Sequence, residues 1–202
     1  MNERFFSLPP ERRKRMINAG YKVFSAYPYK KAPTSSIAEA AGVSKPLLFH
    51  YFGSKKGLYL FLFETALKTA DSIADEEDLA GERDFFMYIM KNLRREIRLM
   101  RKYPDMLRFL NAAYFETDPL VSADIKRIKA RYMKHDTSSI LENTDRSRFR
   151  DPEAPEKLLK LITLVVEGYM SVNRQEVFKN PDKALKEMEV LILSLRDNYY
   201  KA

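Results

Sequence analysis

Residues 36–56, SIAEAAGVSKPLLFHYFGSKK, constrain the fold more than any other stretch of this 202-residue chain. They predict two short helices joined by a sharp turn. Ser36 and Glu39 have the S-x-x-E spacing of a capping box, in which the acid reaches back to a free backbone N–H. The first helix is expected to end near Ala41, because Gly42 tolerates the left-handed conformation that stops a helix. Val43 can then plug the angle between the helices, and Ser44 is a good N-cap for the second. Pro46 falls in that helix's first turn, where a missing N–H costs nothing. Ala38 keeps the helices close, and Ile37, Val43 and Leu48 can share one core. Lys45, Leu47, Phe49, His50 and Tyr51 are left around the rest of the second helix. This is the layout of a helix-turn-helix, whose second helix enters the major groove of DNA. An ordinary helical hairpin is the alternative.

Charge placement favours the DNA reading. Residues 1–56 hold 11 Lys or Arg against 3 Asp or Glu, which is the whole of the chain's net charge of +8. The other 146 residues hold 25 of each sign. A basic segment that coincides with a helix-turn-helix is the electrostatic footprint phosphate requires. A basic N-terminus alone could equally serve acidic lipid or RNA.

The run IAEAAGVSKPLLFHYFGSK at residues 37–55 resembles the tetracycline-repressor (TetR) family of transcriptional regulators. The shared pattern is IA-x-x-AGVS, then an aromatic and Phe, then SK. Ala19 and Phe24 also stand where that family's first helix carries core residues. The specific resemblance covers about the first 65 residues. Four positions depart from the pattern. Pro28 replaces a glycine after the first helix, and Pro33 stands where Thr or Ser usually caps the second. Pro46 replaces a glycine at the start of the recognition helix, and Gly57 a glutamate after SK. The resemblance implies an all-α protein with DNA contacts from Thr34, Ser35, Ser44, Lys45, Leu47, Phe49, His50, Tyr51 and Lys55. Within that set, base contacts are expected from Lys45, His50 and Tyr51, and phosphate contacts from Thr34, Ser35, Ser44 and Lys55. It also implies a ligand pocket in the C-terminal half.

The rest of the chain reads as long helices, about nine in all. Residues 1–8 look like a loose arm whose aromatic pair, Phe5 and Phe6, can tuck against the body. Pro9, Pro10 and Glu11 start a helix that runs to about Tyr27, with Met16, Ala19, Val23 and Phe24 on its apolar face. Arg12, Arg13, Lys14 and Arg15 form a basic cluster on it. Ser54 caps a helix whose residues 58–68 are apolar on more than one face, as expected of a lever between two halves. Residues 75–78 read as an acidic turn, and residues 142–155 as a polar loop. The expected domains are residues 9–56 for DNA and residues 57–202 for ligand binding and dimerisation.

The last two helices, about 156–177 and 181–199, are apolar on too many faces for a single core. Leu158, Ile162, Val165 and Met170 of the first, with Leu185, Met188, Ile192 and Leu195 of the second, are expected to pair with a second copy as a four-helix interface. A large monomeric core is the alternative. Phe86, Met90, Phe109, Tyr114, Tyr132, Glu167 and Tyr169 are candidates to line a pocket for a small apolar or aromatic effector. The same residues equally describe a filled core.

No cofactor, metal or catalytic residue is expected. There is no cysteine, and neither His50 nor His135 has a metal-ligand partner at helical spacing. The longest apolar run, residues 58–63, is far short of the roughly 18 residues that span a bilayer. No signal-peptide pattern opens the chain, so a cytoplasmic protein is expected. These readings combine into a ligand-responsive repressor that binds an inverted-repeat operator in duplex DNA as a homodimer. A constitutive DNA-binding dimer, or an enzyme on a helical fold, are the rivals.

Overall fold

The computed structural model describes residues 3–74, 79 and 81–201. Nine α-helices run through them: α1 (Pro10–Ala26), α2 (Thr34–Ala41), α3 (Lys45–Phe52), α4 (Lys55–Ala74), α5 (Phe85–Lys102), α6 (Pro104–Tyr114), α7 (Ser122–Asn143), α8 (Ala154–Lys179) and α9 (Pro181–Tyr199). Short 3-10 turns occupy Glu3–Phe5, Tyr29–Lys31 and Arg146–Arg148. Among the described residues the fold is all-α, with one isolated antiparallel bridge between Phe149 and Tyr200. The acidic turn expected at residues 75–78 lies outside the described residues.

Packing divides the chain differently from the expected boundary at 56/57. One compact unit takes residues up to Asp71 together with Tyr103–Tyr132; the other takes Ser72–Lys102 together with the chain from Met133. The physical reason is that α6 lies along α1. Phe109 of α6 sits among three rings of the N-terminal helices, 5.5 Å from Tyr21, 5.9 Å from Phe24 and 5.1 Å from Tyr59. The Tyr59 contact is edge-to-face and the other two are tilted, and ring pairs at such separations add to the stabilisation from burial.

In this first unit α1 begins with Pro10 in its opening turn and buries Met16, Ala19, Val23 and Phe24. The apolar stretch of α4 buries Leu58, Tyr59, Leu62, Phe63 and Ala66, so it is core on more than one face, as its sequence requires. Burial also pushes the Tyr21 phenol above its ordinary value. The N-terminal arm is not loose. Phe5 is fully buried, its ring 4.9 Å from Phe52, 5.5 Å from Phe61 and 5.9 Å from Tyr51.

The second unit is built on Phe85, Phe86, Ile89, Met90, Ile140, Phe149, Leu158, Ile162 and Ile192. Ion pairs of α5 with α9, Arg94–Glu189 and Arg101–Asp182, flank it. The loop expected at residues 142–155 is shorter and more ordered than its polarity suggests. Helix α7 runs to Asn143, Arg146–Arg148 make a 3-10 turn, and α8 begins at Ala154. Between them Phe149 is driven into the core against Phe85 and Tyr200, and the backbone pairs with the C-terminus through Arg150 N–H to Tyr199 and Lys201 N–H to Arg148.

This C-terminal clasp has a predictable pH dependence. Burial, then the Asp84 carboxylate that accepts the phenol's hydrogen bond at 3.1 Å, pushes Tyr200 up from 10.0 to about 12. The folded state therefore holds this proton more tightly than the unfolded chain does. Its contribution is complete below pH 10 and is lost as pH rises from 10 towards 12. Thermal melts across that window are expected to show a falling Tm in the wild type and a shallower fall in Tyr200→Phe.

Candidate nucleic-acid interface

Helices α2 and α3 form the helix-turn-helix. Helix α2 starts two residues before the expected capping box, at Thr34 after Pro33, and no side chain caps it. Ser36 and Glu39 are thus inside the helix and not at its end: Pro33 forces the chain into an extended approach, and the helix begins as soon as that ends. The turn is as expected. Gly42 has φ 67° and ψ 38°, its N–H donates to Glu39 O at 3.0 Å, and Val43 N–H donates to Ala38 O at 3.0 Å. That double closure needs a left-handed residue, and only glycine adopts it without strain. Ser44 then caps α3, its hydroxyl accepting from Leu47 N–H at 3.2 Å. Ile37, Ala38, Ala41, Leu48 and Phe52 are buried where the helices meet.

The outer face of α3 presents Lys45, Pro46 and His50 as exposed residues, with Leu47 and Phe49 half-buried beside them. Lys45 lies over the Phe49 ring at 5.9 Å, which keeps its charge on that face. Next to it begins α4, where Ser54 caps by accepting from Gly57 N–H at 3.0 Å. This N-terminus carries Lys55 and Lys56, so two ammonium groups join the partial positive charge of the helix end.

Lys55 is seated rather than free. Its Nζ donates to Lys30 O at 3.2 Å and lies 5.1 Å from the Tyr29 ring. Partial burial pushes its ammonium below the ordinary lysine value, with Asp118 opposing. The Tyr29 N–H donates at 2.8 Å to Glu116, whose carboxylate also accepts from Thr117 and Asp118 N–H at 3.0 Å. Lys56 pairs with Asp124 at 2.6 Å and holds that carboxyl below its usual range. The α6–α7 connection therefore clamps the loop before α2, and the first turn of α7 clamps the start of α4. No sequence signal marks Glu116, because its partner is 87 residues away and both lie outside any periodic pattern.

A sequence family described as "Bacterial regulatory proteins, tetR family" matches residues 16–61, from mid-α1 into α4. The chain is 29% identical over 133 residues to the HTH-type transcriptional activator FasR of Mycolicibacterium smegmatis, covering 62% of this chain and 57% of that protein. It thus spans little more than half of that relative's length. It is 23% identical over 165 residues to the HTH-type transcriptional repressor Rv1474c of Mycobacterium tuberculosis, covering 79% and 81%. Residues 16–61 therefore carry the DNA-binding segment shared by TetR-family regulators, and the curated relatives aligned with the chain are HTH-type transcriptional regulators. The chain's fold likewise matches a crystal structure of the transcriptional regulator FadR from Bacillus subtilis in complex with stearoyl-CoA. That match has a TM-score of 0.70 at 15% identity over 91% of this chain and 96% of that one, and it shows the fold alone.

On this TetR-type domain the expected DNA residues separate. Ser35, Ser44, Lys45 and His50 are exposed, and Leu47, Phe49 and Lys55 half-buried. Thr34 and Tyr51 are corrections. Thr34 is buried at the start of α2, so its side chain is not presented on the surface. Tyr51 is 7% exposed beneath Phe5 and is therefore a core ring, not a base reader. Helix length explains the error: in an eight-residue helix packed on both α2 and the N-terminal arm, only one narrow face remains outward. Pro46, unforeseen as a surface residue, shares that face.

The candidate pocket residues are divided between the two compact units. Phe109 fills the aromatic core of the first unit, while Phe86 packs on Phe85 and Tyr200 in the second. Met90 is buried in that same second core. Tyr114 and Tyr132 belong to the first unit and are half-buried, Lys129 standing over the Tyr114 ring. Glu167 and Tyr169 are half-buried on α8, and the Tyr169 phenol donates to Glu187 of α9.

The candidate interface residues are redistributed as well. Leu158, Ile162, Met188 and Ile192 are buried within their own chain, and Val165, Met170, Leu185 and Leu195 are half-buried. The apolar side chains left outward on α8 are Leu161, Leu164 (58% exposed) and Val172 (83%); Val190 (70%) and Leu191 do the same on α9. Leu161, Leu164, Gly168 and Val172 follow helical spacing along one stripe, with open space before Gly168. Scattered apolar residues are ordinary on a surface, but a stripe calls for a cover.

Proposed function

We propose that this chain is a sequence-specific duplex-DNA-binding repressor that acts as a homodimer on an inverted repeat and responds to a small-molecule effector. The observation that carries the DNA reading is the exposed α3 face of Lys45, Pro46 and His50 beside the lysine-bearing N-terminus of α4. Lys45 and His50 read base edges, while Ser35, Ser44, Lys55 and the α2 N-terminus hold phosphates. Residues 9–56 carry these groups, and the α6–α7 connection supports them. Two-fold symmetry through the outward stripes of α8 and α9 would impose two-fold symmetry on the operator. An effector bound within the helical body shifts the spacing of the two recognition helices, and α4, which starts with those lysines, transmits the shift. The stearoyl-CoA complex of the similarly folded FadR supports a ligand-responsive body. Coupling of about 1–3 kcal/mol would change operator affinity roughly 5–150-fold.

Selection from random duplexes tests the reading, and an inverted repeat is the expected product. Lys55→Ala is then expected to weaken all sequences alike and to lower the salt slope by about 1. Lys45→Ala should instead cost about 1–3 kcal/mol at one position of the site and relax specificity there. If selection enriches no sequence, the specific reading fails and non-specific DNA binding takes its place.

A further inference from the structure

Helix α5 carries three arginines whose environments differ. Arg94 donates to Glu189 at 3.0 Å, and Arg101 pairs with Asp182, both on α9. Arg95, turned about 100° from Arg94 around the helix axis, is 8% exposed and does not share that face. Among the described residues its Nε makes no hydrogen bond, and the guanidinium pairs with the carboxylate of its neighbour Glu96, 3.5 Å from a terminal nitrogen and itself 36% exposed. A guanidinium stays charged at any physiological pH, so it cannot escape burial by losing a proton. One N–H of this cation is thus buried without an acceptor, a cost that a bound acceptor would remove.

The surroundings indicate what the partner must be. Tyr88, Asn92, Arg95 and Leu99 recur at spacings of four, three and four, so they lie on one stripe of α5. Tyr88 and Leu99 are buried and Asn92 half-buried. The stripe is therefore an inward face of α5 that sets apolar side chains beside polar tips and one cation with an unfilled donor. The Nε–H and a terminal N–H of a guanidinium form a fork that takes a carboxylate or phosphate through two parallel hydrogen bonds.

We infer that Arg95 is the anchor for an anionic headgroup, and that the effector is an amphiphile with one carboxylate or phosphate and an apolar body. This rests on the proposed ligand-responsive reading and narrows it from any apolar or aromatic compound to an anionic one.

Arg95→Met, close in length but uncharged, provides the test. Melts followed by circular dichroism would use dodecanoate, dodecyl phosphate and neutral dodecanol at submicellar concentration. The wild type is expected to be stabilised by one or both anions and less by the alcohol, and the two anions distinguish a carboxylate from a phosphate site. In Arg95→Met the affinity for the anion should fall about 30-fold or more. Without additive, the variant should melt no lower than the wild type, since replacing a poorly paired buried charge by an apolar side chain removes a desolvation cost. A marked fall in Tm without additive would show that Arg95 is already satisfied and overturn the inference. So would equal responses of wild type and variant to every probe, including no response. Operator affinity measured alongside separates the two readings. Anion binding through Arg95 with unchanged operator affinity overturns the switch and keeps the site; operator binding with no anion preference does the reverse.

Discussion

Replacing Leu164 by Arg is expected to convert a dimer of about twice the 23.7 kDa chain mass into a monomer and to abolish retention of operator DNA. Leu164 lies on α8, 58% exposed, in line with Leu161 and Val172. In a symmetric interface the same residue occurs twice near the axis, so one substitution introduces two like charges. An unpaired charge buried in an apolar contact costs about 3–5 kcal/mol, roughly two to four powers of ten in the dissociation constant. Operator binding falls with it, because two half-sites are held together only through the dimer. Sedimentation of wild type and variant at micromolar concentration checks this, with helicity as a control for folding. Ile162→Arg provides the contrast. Ile162 is 3% exposed within its own unit, so charging it is expected to unfold the chain rather than split a dimer. A monomeric wild type, or a Leu164→Arg protein that remains dimeric, would remove the α8–α9 interface.

Gly57→Ala is expected to damage the DNA-binding domain although it adds a single methyl group. A Cβ at this position would stand 2.1 Å from the carbonyl oxygen of Phe52, the last residue of the recognition helix. That neighbour is backbone, so it can yield only by moving the end of α3 against α4. Forced overpacking of this kind costs about 1–3 kcal/mol, and the upper end corresponds to a Tm lower by roughly 6–12 °C for a chain of this size. Specific DNA affinity should fall further than stability alone requires, because the shift is delivered to α3. A variant that melts like the wild type and binds the operator normally would show that this turn relaxes freely. The same contact gives a physical reason for glycine at this position: the α3–α4 turn closes too tightly for any side chain.

The helix-turn-helix was legible in the sequence because its determinants are local. Gly42 at the turn, Ser44 at the cap and Pro46 in the first turn act within four residues of themselves, so their spacing carries the geometry. The apolar faces of α1 and α4 were legible for a related reason, since helical periodicity shows which residues must be covered. It does not show by what. Tyr51 and Lys45 both lie on α3, and only the arrival of Phe5, 46 residues upstream, makes one a core ring while the other stays outside. On α8 the sequence required more covered faces than one core provides. Ile162 and Leu164 are aliphatic side chains of similar size that composition does not tell apart, yet Ile162 went to the chain's own core and Leu164 to the surface. Likewise Phe109 joined the rings of α1 and α4, Phe149 entered the second core from a polar stretch, and Glu116 took the loop before α2. Those choices belong to tertiary structure alone, because each is decided by which distant segment fills a given space, and no local pattern records that.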